Sequence, residues 1–253
     1  MATIKCRVNS IKLGKGNNIR VFVPESGRVK YPAVYMQHGL GDDETTAWTH
    51  SDLEAYASEA DIIVVTADAE ASWFCNDFRN GEEGSGGILW EDYFAYELPS
   101  YIEENFPAVS SAAGRGQCGF SMGGYGAMML TLLHPERFTA VSAHSGSFMF
   151  GHEYRKNRPE RAEFMKVVAP PGGRYDLFTL HEQSFVKDAR MPAIRFDVGD
   201  HDHLLEHGRR FNHYLEENNV PHQYIEAEGS HLWSYVDKQL SDSFKFFADK
   251  LSI

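Results

Sequence analysis

The sequence predicts an α/β protein with a mostly parallel central sheet of about eight strands and helices on both faces. Strand-like and helix-like segments alternate along almost the whole chain, and this alternation is typical of a parallel sheet covered on both faces. One predicted strand, IIVVTAD at 62–68, is a β-branched run of the kind that is buried on both faces. With 253 residues, 42% of them hydrophobic, the chain is long enough for one large domain with a sizeable core.

The N-terminal part of the chain predicts strands joined by a tight turn, and one helix. Gly14, Gly16 and Asn17 predict the turn between the first two strands. The helix follows the third strand, with Ser51 as its N-cap and Glu54 three residues later, which is the spacing of a capping box. The predicted strands span residues 3–13, 19–25, 31–39 and 62–68, and the helix spans 51–60.

The middle of the chain is less regular. Residues 70–90 are rich in aromatic residues and glycine without periodicity, which favours a functional loop, because long loops inside compact domains are usually functional. Residues 91–106 predict a helix in which Pro99 marks a kink or the first turn of a second piece. Residues 147–190 predict a small cap-like insertion with a short helix near 176–183.

The remaining segments complete the alternation. They predict strands at 115–120, 138–146, 192–199 and 221–229, and helices at 122–134, at 203–219 and from His231 onwards. We therefore predict a single domain over residues 1–253. Ligands of such sheets bind at the carboxyl ends of the strands, so residues that directly follow strands are the candidates for function.

Charge and composition exclude several classes of function. The formal net charge is −12, whereas nucleic-acid binding needs clustered cations. No run of 18 apolar residues predicts a membrane span, and the N-terminal segment does not have the pattern of a signal peptide. The spacing of Cys6, Cys75 and Cys118 matches neither a disulfide framework nor a zinc motif. We expect a cytoplasmic protein that binds neither nucleic acid nor membrane; a homo-oligomer is left open.

A candidate nucleophile lies in CGFSMGG, residues 118–124. Residues 119–123 match G-x-S-x-G, the nucleophile elbow, in which a serine lies at a sharp turn between a strand and a helix. Small neighbours are needed because bulky side chains would clash in that turn. The alternative interpretation is a glycine-rich tight turn, but the predicted strand before Ser121 and helix after it favour the elbow.

Serine needs a base, and the base needs an orienting acid. In this fold class the chain order is Ser, then Asp or Glu, then His. His231 follows the last predicted strand, at the same edge of the sheet as Ser121. Asp202 is the preferred acid and Asp200 the alternative, since both follow a strand, whereas Asp197 lies inside it.

The same segment, Asp-His-Asp-His at 200–203, also consists of residue types that bind metals. No second cluster with ligand spacing accompanies it. A catalytic triad explains Asp202 without a metal, so we predict neither a metal nor a cofactor.

The oxyanion of an ester transition state needs hydrogen-bond donors that are already in place. One predicted donor is the backbone N–H of Met122, directly after the nucleophile. The second is the N–H of Leu40, in the loop His38–Gly41 that follows the third strand. The alternative for this loop is a plain connection between a strand and a helix.

Several aromatic residues lie near predicted loops or strand ends and are candidates to line a substrate pocket. For each of them, packing in the core is the alternative. The predicted substrate-binding residues are Trp48, Trp73, Tyr125 and Trp233.

These motifs resemble those of the "putative esterase" branch of the α/β-hydrolase superfamily. The resemblance covers almost the whole chain and includes YMQHGLGDDETTAW, CGFSMGGYGAMMLTLLHPERFTAVSAHSG, DVGDHDHLLEHGRRF and EGSHLWSYVDKQL. The branch includes tributyrin-type esterases, S-formylglutathione hydrolases, feruloyl and acetyl-xylan esterases, and mycolyltransferases. Within this branch, the sequence as a whole most resembles the tributyrin-type esterases.

The resemblance implies the α/β-hydrolase fold and a serine carboxylesterase that hydrolyses short-chain acyl esters. It implies a triad of Ser121, Asp202 and His231, oxyanion donors at Leu40 and Met122, and no cofactor. Other activities remain open: feruloyl or acetyl-xylan esterase, S-formylglutathione hydrolase, or acyl transfer to an alcohol. A binding module without catalysis is the remaining alternative.

Overall fold

An eight-stranded sheet forms the centre of the computed structural model, which describes residues 2–78, 87–154, 159–179 and 191–253. The strands of the described residues are β1 (Ala2–Ser10), β2 (Lys15–Val23), β3 (Ala33–Gln37), β4 (Ile63–Ala67), β5 (Asn76–Asp77), β6 (Ile88–Leu89), β7 (Arg115–Phe120), β8 (Ala140–His144), β9 (Ala193–Gly199) and β10 (Gln223–Ala227). The order in the sheet is β1-β2-β4-β3-β7-β8-β9-β10. Strand β2 is antiparallel to β1 and to β4, and the other pairs are parallel. The predicted fold class is confirmed.

Helices and apolar side chains cover both faces of this sheet. The α-helices whose full bounds lie within the described residues are α1 (Thr46–His50), α2 (Leu53–Ala60), α3 (Trp90–Asp92), α4 (Leu98–Asn105), α5 (Met122–Leu133), α6 (Pro159–Val168), α7 (Leu205–Glu217) and α8 (Trp233–Lys250). Neighbouring residues of β3 point to opposite faces, so Tyr35 joins one hydrophobic cluster while Val34 and Met36 join the other. Among the described residues, no helix is both long and apolar enough to cross a membrane.

The turn between β1 and β2 is shorter than predicted. Gly14 adopts the left-handed conformation, with φ +65°, as a turn residue should. Gly16 and Asn17 instead lie in β2, where they pair with Asn9 and Val8. The prediction of these two as turn residues was wrong, because cross-strand pairing extended β2 toward the turn.

The helix predicted from Ser51 begins later, at Leu53. The Ser51 hydroxyl donates to the carbonyl of Ala47 at 2.6 Å, so it ends α1 instead of capping α2. The N–H of Asp52 is bound by Asp237 of α8 at 2.8 Å. The predicted capping box was therefore wrong, because a contact with α8 supplies the acceptor at this helix start.

The helix predicted at 91–106 is interrupted by a π-helical turn, Tyr93–Glu97, between α3 and α4. Pro99 has no N–H and its ring crowds the carbonyl four residues earlier, which is that of Ala95. The wider π turn accommodates this, and the Ala95 carbonyl accepts a hydrogen bond from Arg137 Nε at 3.2 Å. Pro99 thus lies in the first turn of a second helical piece, which was one of the two predicted alternatives, the other being a kink.

The segment predicted as a cap-like insertion packs, where it is described, against the main core. Phe148, Phe150, Met165 and Tyr175 belong to the larger hydrophobic cluster. The short helix predicted near 176–183 lies for the most part outside the described residues, as do 79–86 of the predicted functional loop. The described ends of that loop form a short antiparallel pair, β5 with β6. The division into domain and insertion stays a prediction.

Glu91 joins this segment to the sheet-covering helices. The Glu91 residue is 1% exposed, and its carboxylate accepts hydrogen bonds from His134 Nε2 at 2.9 Å, from the Tyr175 hydroxyl at 2.7 Å and from the Arg174 guanidinium. Burial by itself raises the pKa of Glu91, but these hydrogen bonds outweigh it and lower the pKa to about 2. The ionised carboxylate therefore stabilises the fold at neutral pH.

We expect Glu91→Gln to lower the free energy of unfolding at pH 7 by about 3 kcal/mol, because the hydrogen-bond partners of this buried carboxylate lose its charge. The pKa of Glu91 is about 2 in the folded protein against a usual 4.5. A carboxyl group with a lowered pKa stabilises the folded protein above pH 4.5, and this stabilisation is lost as the pH falls toward 2. The difference in the free energy of unfolding between variant and wild type should therefore disappear over that range. Urea unfolding at several pH values measures it.

Glu163→Gln is the matched control, since Glu163 pairs with Lys166 on the surface of the same segment and its side chain is 72% exposed. Exposed pairs contribute little, so this variant should unfold like wild type. An equal loss of stability in both variants would contradict the role of Glu91.

Candidate active site

The turn from β7 to α5 holds Ser121 in a strained backbone conformation, with φ 59° and ψ −113°. A Cβ atom on Gly119 would lie 2.2 Å from the carbonyl oxygen of Gly123, and one on Gly123 would lie 2.1 Å from that of Gln37. Neither position can carry a side chain. The turn is held from both sides, because Ser121 N–H donates to His144 O and Ser121 O accepts from Ser147 N–H, each at 3.0 Å.

Three side chains that follow three parallel strands meet at this turn. Ser121 Oγ lies 2.9 Å from His231 Nε2. His231 Nδ1 lies 2.8 Å from Asp202 Oδ2 and 3.0 Å from its Oδ1. Since a carboxylate can only accept, Nδ1 carries the ring proton and Nε2 is free to accept the proton of Ser121. The structure thus brings Ser121, His231 and Asp202 together in the geometry that a triad requires.

Asp202 is buried, whereas His231 is partly exposed to solvent. The Asp202 residue is 5% exposed, and the side chain of His231 is 20% exposed. Burial by itself raises the pKa of Asp202, but hydrogen bonds from His231 and from the N–H of Leu204, with the nearby Ser145 hydroxyl, hold the pKa below its usual value. An ionised Asp202 fixes the tautomer of His231 and would stabilise its cation.

The other two aspartates of this segment have different partners. Asp200 is 43% exposed at its side chain and accepts hydrogen bonds from Gly229 N–H at 3.0 Å and from His201 at 2.7 Å. It therefore supports the loop that precedes His231 without contacting that ring. Asp197 is fully buried within β9 and pairs with His144 and Arg195. The geometry favours Asp202 over Asp200.

Aromatic rings surround His231. The ring of Phe120 lies 4.6 Å from it, and the indole of Trp233 packs edge-on against Phe120 at 5.3 Å. The Trp233 indole N–H also donates to Asp42 at 3.1 Å. The sequence analysis did not identify Phe120 or Asp42 as site residues. Two signals could have found them: Phe120 directly precedes the nucleophile, and Asp42 directly follows HGLG.

The loop after β3 lies against the nucleophile. A Cβ atom built on Gly39 would be 3.6 Å from Ser121 Cβ. Buried His38 shapes the loop, since its Nδ1 donates to Gly39 O at 2.7 Å and its Nε2 accepts from Ala69 N–H at 2.8 Å. The next residue, Leu40, is 45% exposed.

Met122 is the first residue of α5, so its N–H has no acceptor within the helix. Both predicted oxyanion donors thus lie on segments that contact Ser121, and the donor role itself stays a prediction.

The predicted substrate-binding aromatics divide into two groups. Trp233 packs against Phe120, which in turn packs against His231. Trp73 lines a small cavity together with Ser147, whose N–H donates to Ser121 O. Tyr125 is fully buried and its hydroxyl donates to the carbonyl of Tyr175 at 2.7 Å. Trp48 donates to Thr66 at 2.7 Å and lines a groove beside α2. For Tyr125 the structure therefore favours packing, while the groove that Trp48 lines contains none of the three triad residues.

Known proteins place the chain in a family. The family model described as "Putative esterase" matches residues 10–247. The chain belongs to this family. The predicted branch is confirmed.

Among individual relatives, Esterase Rv1288 of Mycobacterium tuberculosis is 25% identical over 254 residues, which cover 90% of this chain and 55% of the relative. The chain thus spans about half the length of the curated relatives it matches.

Two solved structures are also similar. An S-formylglutathione hydrolase of Staphylococcus aureus superposes with a TM-score of 0.84 at 25% identity, over 98% of both chains. A ferulic acid esterase of Anaeromyces mucronatus has a TM-score of 0.70 at 15% identity, over 98% of this chain and 90% of its own. The second likeness is one of fold alone.

We expect Asp202→Asn to lower kcat by about 10⁴-fold with little change in KM. The amide of asparagine can donate to His231 Nδ1, which moves the ring proton to Nε2 and removes the base. Steady-state kinetics on an ester substrate measures this.

Asp200→Asn is the control in the same loop, since its amide oxygen can still accept from Gly229 N–H. It should keep most of the activity. A large loss in Asp200→Asn combined with an active Asp202→Asn would reverse the assignment of the acid.

Proposed function

We propose that this protein is a serine carboxylesterase that hydrolyses short-chain acyl esters, with Ser121 as nucleophile, His231 as base and Asp202 as orienting acid. The observation that carries the proposal is the hydrogen-bonded line from Ser121 Oγ through His231 to Asp202. Membership of the esterase family supports it.

In the first half-reaction, Ser121 Oγ attacks the ester carbonyl while His231 Nε2 takes the hydroxyl proton. The carbonyl oxygen becomes an oxyanion, for which the N–H groups of Leu40 and Met122 are the proposed donors. Asp202 stabilises the imidazolium. Collapse of the tetrahedral intermediate breaks the bond to the alkoxy group, which leaves as the alcohol with the proton of His231.

In the second half-reaction, water attacks the acyl group on Ser121. His231 Nε2 accepts a proton from this water and then returns it to Ser121 Oγ as the acyl–oxygen bond breaks. The products are the free acid and the regenerated enzyme.

The proposed preference for short acyl groups is supported by the packing around Ser147, whose N–H donates to Ser121 O at 3.0 Å. Trp73 stacks on Phe150 with ring centroids 3.8 Å apart, and the cavity that they line with Ser147 is small. Two stacked rings leave little room for a long acyl chain in this cavity. The small-molecule ester is thus the proposed partner; the cytoplasmic location and a homo-oligomer stay predictions.

The second candidate substrate is S-formylglutathione, a thioester with a one-carbon acyl group. It is favoured by the likeness over nearly the whole chain to the S. aureus structure named an S-formylglutathione hydrolase. The same residues would act on it, with a thiol in place of the alcohol as leaving group.

Hydrolysis of p-nitrophenyl acetate, butyrate and octanoate, of methyl ferulate and of S-formylglutathione tests the proposal. We expect the short esters to be turned over faster than octanoate and ferulate. Ser121→Ala should lower kcat by about 10⁴- to 10⁶-fold, while exposed Ser110→Ala keeps wild-type rates. Circular dichroism and Tm show that each variant is folded.

The outcomes separate the alternatives. A Ser121→Ala variant with wild-type rates would contradict the assigned nucleophile. Faster turnover of octanoate or ferulate than of acetate would contradict the short-chain preference. A kcat/KM for S-formylglutathione far above that for every oxygen ester would make the second candidate the function.

A further inference from the structure

A third residue beside the Asp202–His231 pair adds metal-ligand chemistry to the site. Among the described residues, Asp202, His203 and His231 form a group whose potential ligand atoms all lie within 4.8 Å of one another. His203 is outside the proposed hydrolytic mechanism. We propose that these three residues form an inhibitory Zn²⁺ site, in which the ion binds His231 Nδ1, the Asp202 carboxylate and His203 and reversibly stops catalysis.

The distances suit a small transition-metal ion. Tetrahedral Zn²⁺ has Zn–N and Zn–O distances near 2.0–2.2 Å, which separate two ligand atoms by about 3.3 Å. His203 Nδ1 lies 3.5 Å from Asp202 Oδ1. His231 Nδ1 lies 2.8 Å from Asp202 Oδ2, so this pair opens by about 0.5 Å when the ion replaces the bridging proton.

Exposure allows the ion to enter and the ligands to adjust. The side chain of His203 is 61% exposed, and its residue lies in the loop before α7. Its ring packs edge-on against that of His231, with centroids 4.4 Å apart at 69°. Rotation of an exposed loop side chain closes the remaining gap, while the enclosed Asp202 carboxylate supplies the negative charge. A fourth position toward solvent remains for water, which is usual for zinc bound by three protein ligands.

Zinc at this place would remove the base. In the hydrolytic state, the ring proton of His231 is on Nδ1 and Nε2 accepts from Ser121. A metal bond to Nδ1 needs the lone pair of that atom, so the single proton of the neutral ring transfers through solvent to Nε2. Nε2–H can then only donate to Ser121 and no longer takes its proton. Zn²⁺ should therefore lower kcat and leave KM nearly unchanged.

Esterase kinetics in the presence of Zn²⁺ tests the inhibitory effect, which rests on the proposed function. Wild type should be inhibited and should recover with EDTA, and Mg²⁺, which prefers oxygen ligands, should not inhibit. His203→Ala should weaken the inhibition at least about tenfold, with each variant referred to its own rate without metal. His201→Ala is the matched control, because His201 lies in the same loop but pairs with Asp200.

Unchanged zinc inhibition in His203→Ala, or equal weakening in His201→Ala, would overturn the proposed site. Inhibition that raises KM without lowering kcat would also overturn it, since it would place the ion in the substrate pocket and not on His231.

Calorimetric titration of Zn²⁺ into Ser121→Ala measures binding independently of catalysis, because Ser121 is not among the ligands. We expect one ion per chain, with binding at least about tenfold weaker in Ser121→Ala/His203→Ala. If zinc binds as expected in a protein without esterase activity, the site stands and the proposed function fails. If the esterase is active and zinc neither binds nor inhibits, the inference fails alone.

Discussion

The close approach of three backbone segments at the β7–α5 turn is the constraint on which the site depends. The Cα of Gly123 lies so near the carbonyls of Gln37 and His38 that no Cβ would fit. This contact presses the start of α5 against the loop after β3. Because of it, the N–H groups of both predicted oxyanion donors belong to segments that contact Ser121, while the positive φ of Ser121 directs its side chain out of the turn.

The parallel sheet then determines which side chains can reach the serine. Strands β7, β9 and β10 run in the same direction, so the loops that follow them share one edge of the sheet. That shared edge brings His231 to Ser121 across 110 residues of sequence separation, and Asp202 to His231 across 29. Phe120 packs against the imidazole of His231 and limits where it can lie. The imidazole of His231 also contacts the ring of His203. A ring held on several sides in this way is pre-organised for proton transfer and is also open to capture by a metal ion.

Buried charge has a second, structural use in this protein. Glu91 holds His134, Arg174 and Tyr175 together, and Asp197 holds His144 and Arg195 inside the sheet. Both groups combine residue types common in active sites, yet each carboxylate is enclosed by its partners. Their partners come from distant segments, and the histidines differ: the side chain of His144 is fully buried, whereas that of His231 is 20% exposed and contacts Ser121.

Periodicity and short glycine motifs are local properties, so the amino-acid sequence predicted the fold class and the elbow around Ser121. The chain order typical of that fold class then predicted where the partners of Ser121 follow. The sequence also narrowed the acid to Asp202 or Asp200, since both follow β9. Contacts between distant segments favour Asp202, because Asp200 binds Gly229 whereas Asp202 faces His231. Such contacts also explain why Ser51 ends a helix, why Asn17 extends a strand and why Tyr125 is buried. Burial and hydrogen-bond partners depend on residues far apart in the chain, and no local pattern records them.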